Sequence, residues 1–333
     1  MSAILLTGGA GYIGSHIALK LLQKNKKIVI FDDLSNSSFK TIESLRKINR
    51  KKLYFFQGDI RSIADLKVIF SNHNISTIIH LAALKNIPES ITKPHKYYDV
   101  NYIGSKNLID LAFKNNVKKF IFSSTAAVYG VSDNMPLVES DRLCPNNPYS
   151  ESKKLSEDYL KLSSGKDPRM IISILRYFNP IGYDSSGCLH FNYDRSDGNI
   201  MQNILNAYFN AQKKFTIYGT DYPTKDGSGI RDYIHVTDLA EAHISCLDLA
   251  KQVENPCILN IGTGSGYSVY DLINAFNKAS RKKLEVVEGK RRPGDIPENY
   301  ANCDYAKKVL NWEAKKTLLD MCKDSLNWYE NSS

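Results

Sequence analysis

Short apolar runs alternate with amphipathic stretches through the first half of the chain. The runs "AILLTG", "KIVIFDD", "KLYFFQGD", "TIIHLAA", "KKFIFSSTAAVYG" and "RMIISILRYFNP" have the lengths and residue types of buried strands. Helical periodicity marks "YIGSHIALKLLQK", the segments near 39–49 and 62–71, "PHKYYDVNYIGSKNLIDLAFKNN" and "NPYSESKKLSEDYLKL". Helices of this length between strands imply parallel pairing with both sheet faces covered. The pattern therefore predicts an α/β fold built on a doubly wound parallel sheet.

The pattern changes after Pro180, where the chain becomes polar and rich in Gly and Asp before short strands and helices mix. We predict strands at "FTIYG", "DYIHV", "CILNIG" and "LEVVEG", and helices at about 199–211, 237–251, 268–280 and 317–330. These elements predict a smaller, mixed α/β lobe. We therefore expect two domains, 1–179 and 180–333, with some C-terminal segments rejoining the main domain.

The long predicted helix near 94–115 is apolar on more than one side. Its apolar positions include Tyr98, Val100, Ile103, Leu108 and Phe113. One face is expected to pack on the sheet, which leaves a second apolar face to be covered. Helix pairing in a homodimer would cover it, and so would the C-terminal lobe; the sequence leaves both readings open.

Composition and charge narrow the function classes. The 333 residues are 42% hydrophobic and 24% charged, which is typical of a globular protein. The net charge of +9 is spread over the chain, so we expect no nucleic-acid partner, and the cluster "GKRRPGD" favours an anionic small molecule instead. No apolar run has the length of a membrane span and no signal peptide is visible, which predicts a cytoplasmic protein without a membrane partner. The six cysteines form no C-x-x-C pair, so we expect free thiols and no metal site.

Three glycines spaced three residues apart follow the first predicted strand, in "LLTGGAGYIGSHIAL". Gly8 permits a tight strand-to-helix turn, Gly11 lets the backbone approach a pyrophosphate, and Gly14 lets the helix lie against the strand. The free N–H groups and the positive dipole of the helix N-terminus would then face the phosphates. The arrangement predicts a dinucleotide-binding, Rossmann-type domain.

Two carboxylates at the ends of later strands add to this prediction. Asp32 ends the second predicted strand, where a carboxylate binds both hydroxyls of an adenosine ribose and repels a 2′-phosphate. NAD is therefore favoured over NADP as the cofactor. Asp33 is the competing candidate for a simple loop charge. Asp59, in "QGDI", would lie near the adenine edge, although a helix N-cap is the alternative reading.

A hydroxyl, a phenol and an amine form the candidate catalytic set. Thr125 closes the fifth predicted strand, and Tyr149 and Lys153 lie four residues apart on the helix that Asn147 and Pro148 begin. An ammonium and a nicotinamide cation beside the phenol would lower the tyrosine pKa by a few units from about 10. We expect Tyr149 to be a general base near neutral pH, with Thr125 holding the reacting hydroxyl.

Several longer strings place the chain in a known family. "TGGAGYIGSH", "KPHKYYDVN", "FIFSSTAAVYG", "PYSESK", "LRYFNPIG", "RDYIHVTDLA" and "RRPGDIP" resemble the extended short-chain dehydrogenase/reductases, and within them the UDP-glucose 4-epimerases, over nearly the whole length. The resemblance implies that Tyr149 is the base, Thr125 its partner, and Lys153 a contact of both tyrosine and nicotinamide ribose. It also implies that NAD is lined by Tyr12, Ile13, Asp32, Asn36, Asp59, Ile60, Lys85, Asn101 and Phe178.

The resemblance further implies a reaction. Dehydratases of the family carry an acidic pair where this chain has Ala126 and Ala127, and two alanines cannot supply an acid and a base. What remains is removal of the C4 hydride by NAD, turning of the 4-keto sugar, and return of the hydride to the other face. The implied activity is interconversion of UDP-glucose and UDP-galactose.

The same resemblance assigns the second lobe to the nucleotide-sugar. Its implied contacts are Asn179 and Asn199 near the diphosphate-sugar, Thr216 to Tyr218 at uracil, Arg231 and Arg292 at the phosphates, and Asp295 at the uridine ribose. Asn299 stands where relatives carry a residue that sets the room for the sugar C2 substituent, so N-acetylated sugars are expected to be accepted too. Epimerisation mainly of acetamido sugars or uronates, and an NAD-binding sensor or scaffold without turnover, are the open alternatives.

Overall fold

A computed structural model describes residues 2–132, 134–165, 168–190, 199–210, 213–249, 254–292 and 294–332. Its strands are β1 Ala3–Thr7, β2 Ile28–Asp32, β3 Leu53–Gln57, β4 Ile75–His80, β5 Lys119–Thr125, β6 Ile171–Tyr177, β7 Asn179–Ile181, β8 Phe215–Tyr218, β9 Ile230–Arg231, β10 Tyr233–His235, β11 Cys257–Ile261, β12 Tyr267–Ser268, β13 Val286–Gly289 and β14 Glu298–Asn299. Its α-helices are α1 Tyr12–Gln23, α2 Phe39–Asn49, α3 Ile63–Asn72, α4 Ile87–Thr92, α5 Pro94–Tyr97, α6 Gly104–Lys114, α7 Pro148–Ser164, α8 Ile200–Phe209, α9 Val236–Ser245, α10 Val269–Ala279, α11 Asp304–Leu310 and α12 Leu318–Ser332.

Within these ranges, seven strands form one parallel sheet in the order β11-β6-β5-β4-β1-β2-β3. The order reverses between β1 and β4, which opens a crevice at the carboxyl ends of these strands. Apolar side chains of α1, α2 and α9 cover one face of the sheet, and those of α3, α6 and α7 cover the other. The predicted doubly wound Rossmann architecture is therefore confirmed.

The second lobe has a core of its own. Leu205 on α8, Phe276 on α10 and Met321 on α12 are buried together there. Short strands border this core, with β8 paired to β13, β7 to β10, and β9 between β12 and β14. The strand β11, by contrast, comes from the C-terminal part of the chain and extends the main sheet beside β6. The domain boundary between residues 179 and 180 stays a prediction.

The single long helix expected at 94–115 is interrupted. A π-helical segment, Tyr98–Ile103, separates α5 from α6. Asn101 lies in this segment, and its main-chain oxygen accepts hydrogen bonds from the hydroxyls of Ser105 and Ser156. These bonds give that oxygen partners outside the regular α-helical ladder, which is how a π-turn is tolerated. None of the helices in the described ranges is both long enough and apolar enough to cross a membrane.

Candidate active site

A cavity of about 660 Å³ opens at the carboxyl ends of the strands and extends to the second lobe. Every predicted site residue lines it except Asn101 and Asn299. The predicted cofactor residues, the catalytic set and the nucleotide-sugar residues thus share one cavity. A bound dinucleotide and a second nucleotide could lie there side by side.

The glycine loop has the close packing that its sequence indicates. Gly8 has a φ of +70°, and a Cβ built on it would lie 2.6 Å from the main-chain nitrogen of Ala82. A Cβ on Gly14 would lie 2.3 Å from the main-chain oxygen of Gly8. Helix α1 begins after Gly11 without a side-chain cap, so its first N–H groups face the cavity without an internal side-chain acceptor. The loop fits a pyrophosphate at this helix N-terminus.

The carboxylate of Asp32 is held beside the glycine loop. It accepts hydrogen bonds from the main-chain N–H of Ala10 and Leu34, each at 3.0 Å, and from the Ser37 hydroxyl at 2.8 Å. Burial raises the pKa of Asp32, and these three donors oppose that rise. Its place at the cavity wall suits a ribose diol. The glycine loop, the open helix N-terminus and this acid together fit a dinucleotide such as NAD.

Asp59 is paired within the chain. Its carboxylate accepts two hydrogen bonds from Nε of Arg61, at 3.1 and 3.0 Å, and Arg61 also bonds Asp99 at 2.9 Å. The side-chain bonds from Arg61 lower the pKa of Asp59. The predicted alternative, an N-cap, is not its role, because Ser62 caps α3. Arg61 lines the cavity with Asp59, and the sequence analysis had not singled it out.

Helix α7 begins where the sequence predicted, and it carries two residues of the candidate catalytic set. Asn147 caps α7, its side-chain oxygen accepting the N–H of Ser150 at 2.9 Å, and Pro148 occupies the first turn. Tyr149 and Lys153 therefore point from the first two turns of α7 towards the end of β5, where Thr125 lies. The ammonium group of Lys153 donates to the main-chain oxygen of Ser123 at 2.8 Å and lies 5.0 Å from the centre of the Phe122 ring.

The expected lowering of the Tyr149 pKa is not found among the groups of the chain itself. Burial raises the pKa of Tyr149, and the Thr125 hydroxyl lowers it less than burial raises it. Burial also lowers the pKa of Lys153 to about 7, while the Glu157 carboxylate acts in the opposite direction. Desolvation disfavours the charged forms of both Tyr149 and Lys153. The four-residue spacing suggested a phenolate, and burial shifts the Tyr149 pKa in the opposite direction. A positively charged ligand beside the phenol would be needed to favour the phenolate.

The second lobe presents two arginines and one acid to the cavity. Asp295 pairs with both Arg231 and Arg292, the latter at 3.2 Å. Arg231 also donates to the main-chain oxygen of Ile230 at 2.8 Å, which holds it against its own strand. The guanidinium of Arg292 lies 5.1 Å from the ring centre of Tyr218. Such a cluster could bind a diphosphate bidentately, with Asp295 keeping the two guanidinium groups together beforehand.

Asn101 and Asn299 are the two predicted site residues that do not line the cavity. The side chain of Asn101 bonds the main chain of Leu84, at 2.8 and 3.0 Å, and the Ser152 hydroxyl at 3.0 Å. It joins the segment before Lys85 to α7 and lies outside the cavity wall. Asn299 pairs with Arg231 across β14 and β9, is buried, and also lies outside the wall. Its position therefore does not support the predicted contact with a sugar C2 substituent.

Asn199 also has a structural task. Its side chain caps α8 by accepting the N–H of Met201 at 3.0 Å, and it donates to the main-chain oxygen of Pro180 at 3.2 Å. It still lines the cavity.

The sequence analysis missed Tyr177, at the carboxyl end of β6. It lines the cavity, and its hydroxyl is bonded to Nε2 of the buried His243. His243 Nδ1 lies 2.8 Å from the main-chain oxygen of Leu239, so Nδ1 donates there and Tyr177 donates to Nε2. Its position at the end of a strand could have indicated that it lines the site. Tyr177 ends β6 in register with Thr125 on β5.

Comparisons with known proteins agree with this arrangement. A family model described as GDP-mannose 4,6 dehydratase matches residues 5–325. The UDP-glucose 4-epimerase of Yersinia enterocolitica is 44% identical over 98% of this chain and 97% of its own length. A structure of UDP-glucose 4-epimerase from Bifidobacterium longum in complex with NAD+ and UDP is 38% identical, with a TM-score of 0.92 over 99% of this chain and 98% of that one.

A second structure agrees equally well. UDP-glucose-4-epimerase from Stenotrophomonas maltophila, with bound NAD and formylated UDP-arabinopyranose, is 36% identical, with a TM-score of 0.94 over 99% of this chain and 98% of that one. The fold, the shared cavity and these full-length matches lead to one assignment. The chain belongs to the extended short-chain dehydrogenase/reductases, in the family of the UDP-glucose 4-epimerases.

Proposed function

We propose that this chain is an NAD-dependent UDP-hexose 4-epimerase that interconverts UDP-glucose and UDP-galactose. One observation carries the proposal: Thr125, Tyr149 and Lys153 line the same cavity as the glycine loop and the Arg231–Asp295 pair. A reacting sugar carbon held between them would be in reach of both a base and a dinucleotide. The similarity to curated and crystallised UDP-glucose 4-epimerases over the full length supports it.

The chain's own residues move one proton. Tyr149 takes the proton of the sugar C4 hydroxyl at its phenolic oxygen and returns it after the sugar has turned, while Thr125 holds that hydroxyl in place. Lys153, anchored on the Ser123 carbonyl, keeps positive charge near the phenol. Bound NAD supplies the hydride acceptor and a positive charge that favours the phenolate. The overall reaction involves no net oxidation, so the cofactor need not leave between turnovers.

The residues after Thr125 favour epimerisation over dehydration. Ala126 and Ala127 begin the short helix Ala126–Tyr129, and Ala126 is buried. Removal of the sugar 6-hydroxyl requires a second acid and base near Tyr149, and these positions supply neither. The chain therefore retains the machinery for hydride and proton transfer at C4 alone.

The reaction requires tight binding of the nucleotide and weak binding of the sugar, because the sugar must turn over within the site. The paired guanidinium groups of Arg231 and Arg292 supply the grip on the diphosphate, and Thr216 and Tyr218 on β8 supply a wall for the base. The sugar then lies at the junction of the lobes, where it can present either face.

Incubation of the purified protein with UDP-galactose, without added NAD, tests the proposal. NMR should show UDP-glucose accumulating to equilibrium, because the cofactor is already bound. Parallel incubations with UDP-N-acetylgalactosamine and UDP-galacturonate separate the alternatives of acetamido-sugar and uronate epimerisation. If the protein turned over only one of these two sugars and did not turn over UDP-galactose, that sugar would take the place of UDP-galactose as the proposed substrate.

Acceptance of UDP-N-acetylglucosamine remains a prediction. The structure gives less support to the residue from which it was inferred. Asn299, the residue from which it was inferred, lies outside the cavity wall. We expect the Asn299→Tyr variant to change the ratio of kcat/KM for the acetamido and the plain sugar by less than about threefold, since a residue without contact gives no discrimination. A larger change, measured by competition of both sugars in one NMR sample, would restore Asn299 to the sugar site.

We also propose that the protein is a homodimer that pairs through α6 and α7. Leu155 and Leu162 are 39% and 68% exposed on α7, and Ile103, just before α6, is 40% exposed. Tyr102 and Tyr159 join the two segments, with ring centres 6.5 Å apart. A second copy would bury this apolar stripe in a helix bundle.

Replacing Leu155 and Ile103 together by Glu should convert the dimer to a monomer, because four like charges would meet in the buried interface. Sedimentation velocity measures the change. Ile48→Glu, at an equally exposed position on α2 across the sheet, is the matched control and should leave the mass unchanged. A monomeric wild-type protein would contradict the proposal directly.

We further propose a cytoplasmic location. The six cysteines are all free, which suits a reducing compartment.

A further inference from the structure

A buried ion pair lies directly behind the catalytic side chains. Nε and Nη2 of Arg176 donate to the two carboxylate oxygens of Glu157, at 3.1 and 2.8 Å. The two side chains are 1% and 0% exposed. Desolvating a pair so completely buried costs free energy, so its presence is weak evidence for a role in stability.

The pair joins strand β6 to helix α7 and strand β5, the two elements that carry Tyr149, Lys153 and Thr125. Glu157 lies on α7, one turn beyond Lys153 and two beyond Tyr149. Arg176 is on β6, in register with Ser124 on β5, whose hydroxyl donates to Glu157. The side chains of Ser124 and Arg176 both reach Glu157 on α7 from adjacent strands.

Other groups fix Arg176 on its far side. Its Nη1 donates to the Tyr129 hydroxyl at 2.9 Å and to the main-chain oxygen of Glu139 at 3.1 Å. Tyr129 in turn donates to Asn260 on β11 at 2.7 Å. The guanidinium therefore donates four hydrogen bonds, one from Nε, one from Nη2 and two from Nη1. It also lies 4.9 Å from the centre of the Tyr129 ring.

The charged and titratable groups near Lys153 lie on α7, β4 and β6. The Glu157 carboxylate, one helical turn along α7, favours the ammonium form of Lys153. Its partner Arg176 carries the opposite charge on the far side of Glu157. His80 on β4 faces Lys153 and is neutral, its pKa lowered to about 3 by burial. Lys161 lies 3.5 Å from the outer oxygen of Glu157, one turn further from the cavity. Tyr149 and Tyr177 are the remaining titratable neighbours, and burial raises the pKa of both.

We propose that Glu157 is a positioning residue for the epimerase reaction: held by Arg176 and Ser124, its carboxylate is the counter-charge that keeps Lys153 an ammonium beside Tyr149. The inference rests on the proposed function. Arg176 orients the carboxylate, and Ser124 links it to the strand end that carries Thr125. Neither Glu157 nor Arg176 lines the cavity.

The Glu157→Gln variant tests the proposal through Lys153 itself. The rate at which acetic anhydride acetylates Lys153, followed by mass spectrometry at a series of pH values, reports the fraction of neutral amine. Loss of the carboxylate should move the midpoint down by about one pH unit, because the ammonium has lost its counter-charge. The alkaline limb of the epimerase pH profile should move down with it, about tenfold in rate at a fixed pH on that limb.

Two further variants separate this role from a purely structural one. Glu157→Gln leaves Arg176 buried without its partner, so that variant can fail to fold. The double variant Glu157→Gln, Arg176→Met removes both charges and should fold. Its midpoint should stay below the wild-type value but above that of Glu157→Gln, because loss of the Arg176 cation offsets part of the lost carboxylate. Glu157→Asp should move the midpoint part of the way back towards the wild type.

Asp238→Asn is the matched control. Asp238 is also a buried carboxylate, but it accepts main-chain N–H groups of Lys315 and Lys316 away from the cavity. Its variant should be less stable with an unchanged Lys153 midpoint. A wild-type midpoint in any folded variant without the Glu157 charge would overturn the proposal. The acetylation readout needs no turnover, so failure of the epimerase assay would count against the proposed function and leave this test standing.

Discussion

The Tyr149→Phe variant should lose epimerase activity by about 10²- to 10⁴-fold in kcat, the range that a positioned general base contributes. The substitution removes only the phenolic oxygen, which lines the cavity and interacts with the Thr125 hydroxyl. Phenylalanine fills the same space on α7, so the free energy of unfolding should change by no more than about 1 kcal/mol. Single-turnover kinetics and thermal unfolding measure the two quantities.

Cofactor content is the control for this variant. NAD released by acid from the purified variant should equal that from the wild type, because the glycine loop and Asp32 are untouched. A variant that turns over UDP-galactose at the wild-type rate would remove Tyr149 as the base. A wild-type protein that binds NAD and UDP without turnover would favour the sensor or scaffold alternative.

The Gly14→Ala variant should lose bound NAD. An added Cβ would lie 2.3 Å from the main-chain oxygen of Gly8 and 2.7 Å from Cα of Gly9. Main-chain atoms cannot move aside as a flexible side chain can, so α1 must shift away from β1. We expect NAD affinity to fall by about 100-fold, the effect of a displacement of about 1 Å at such a site. Overpacking should lower the free energy of unfolding by about 1–3 kcal/mol. Equilibrium dialysis with NAD and chemical unfolding measure these effects.

Gly165→Ala is the matched control for this substitution. Gly165 ends α7 with helical φ and ψ angles, and a Cβ there would meet only the main-chain oxygen of Leu162 at 3.8 Å. Alanine should leave NAD affinity unchanged and raise stability by about 0.4–1 kcal/mol through the unfolded state. Retention of NAD by the Gly14→Ala variant at the wild-type level would show that the dinucleotide does not use this loop.

Local patterns were sufficient to predict the elements that carry the chemistry. The glycine spacing predicted a strand, a tight turn and a helix, and these are β1 and α1. Asn147 and Pro148 predicted where α7 begins, which placed Tyr149 and Lys153 on one face of it. These predictions succeed because capping, turn formation and side-chain spacing depend on neighbours within about one helical turn.

Other features could not be predicted from neighbours along the chain. The helix expected at 94–115 contains a π-segment, and within it the main-chain oxygen of Asn101 accepts a hydrogen bond from Ser156, which lies 55 residues further on. Asn299 was predicted to contact the sugar, yet it pairs across strands with Arg231 outside the cavity wall. Each outcome depends on a partner that only the folded chain brings near.

The sequence by itself determined the doubly wound sheet and the strand–glycine loop–helix unit, and it predicted Tyr149 as the base, since each rests on local periodicity or a short motif. Only the tertiary structure decided the direction in which the pKa values of Tyr149 and Lys153 shift, and which charged groups surround them. Burial raises the pKa of Tyr149 and lowers that of Lys153, and Arg176 meets Glu157 from another strand. The physical reason is that desolvation and long-range charge depend on the atoms surrounding a group in space, which spacing along a chain does not reveal.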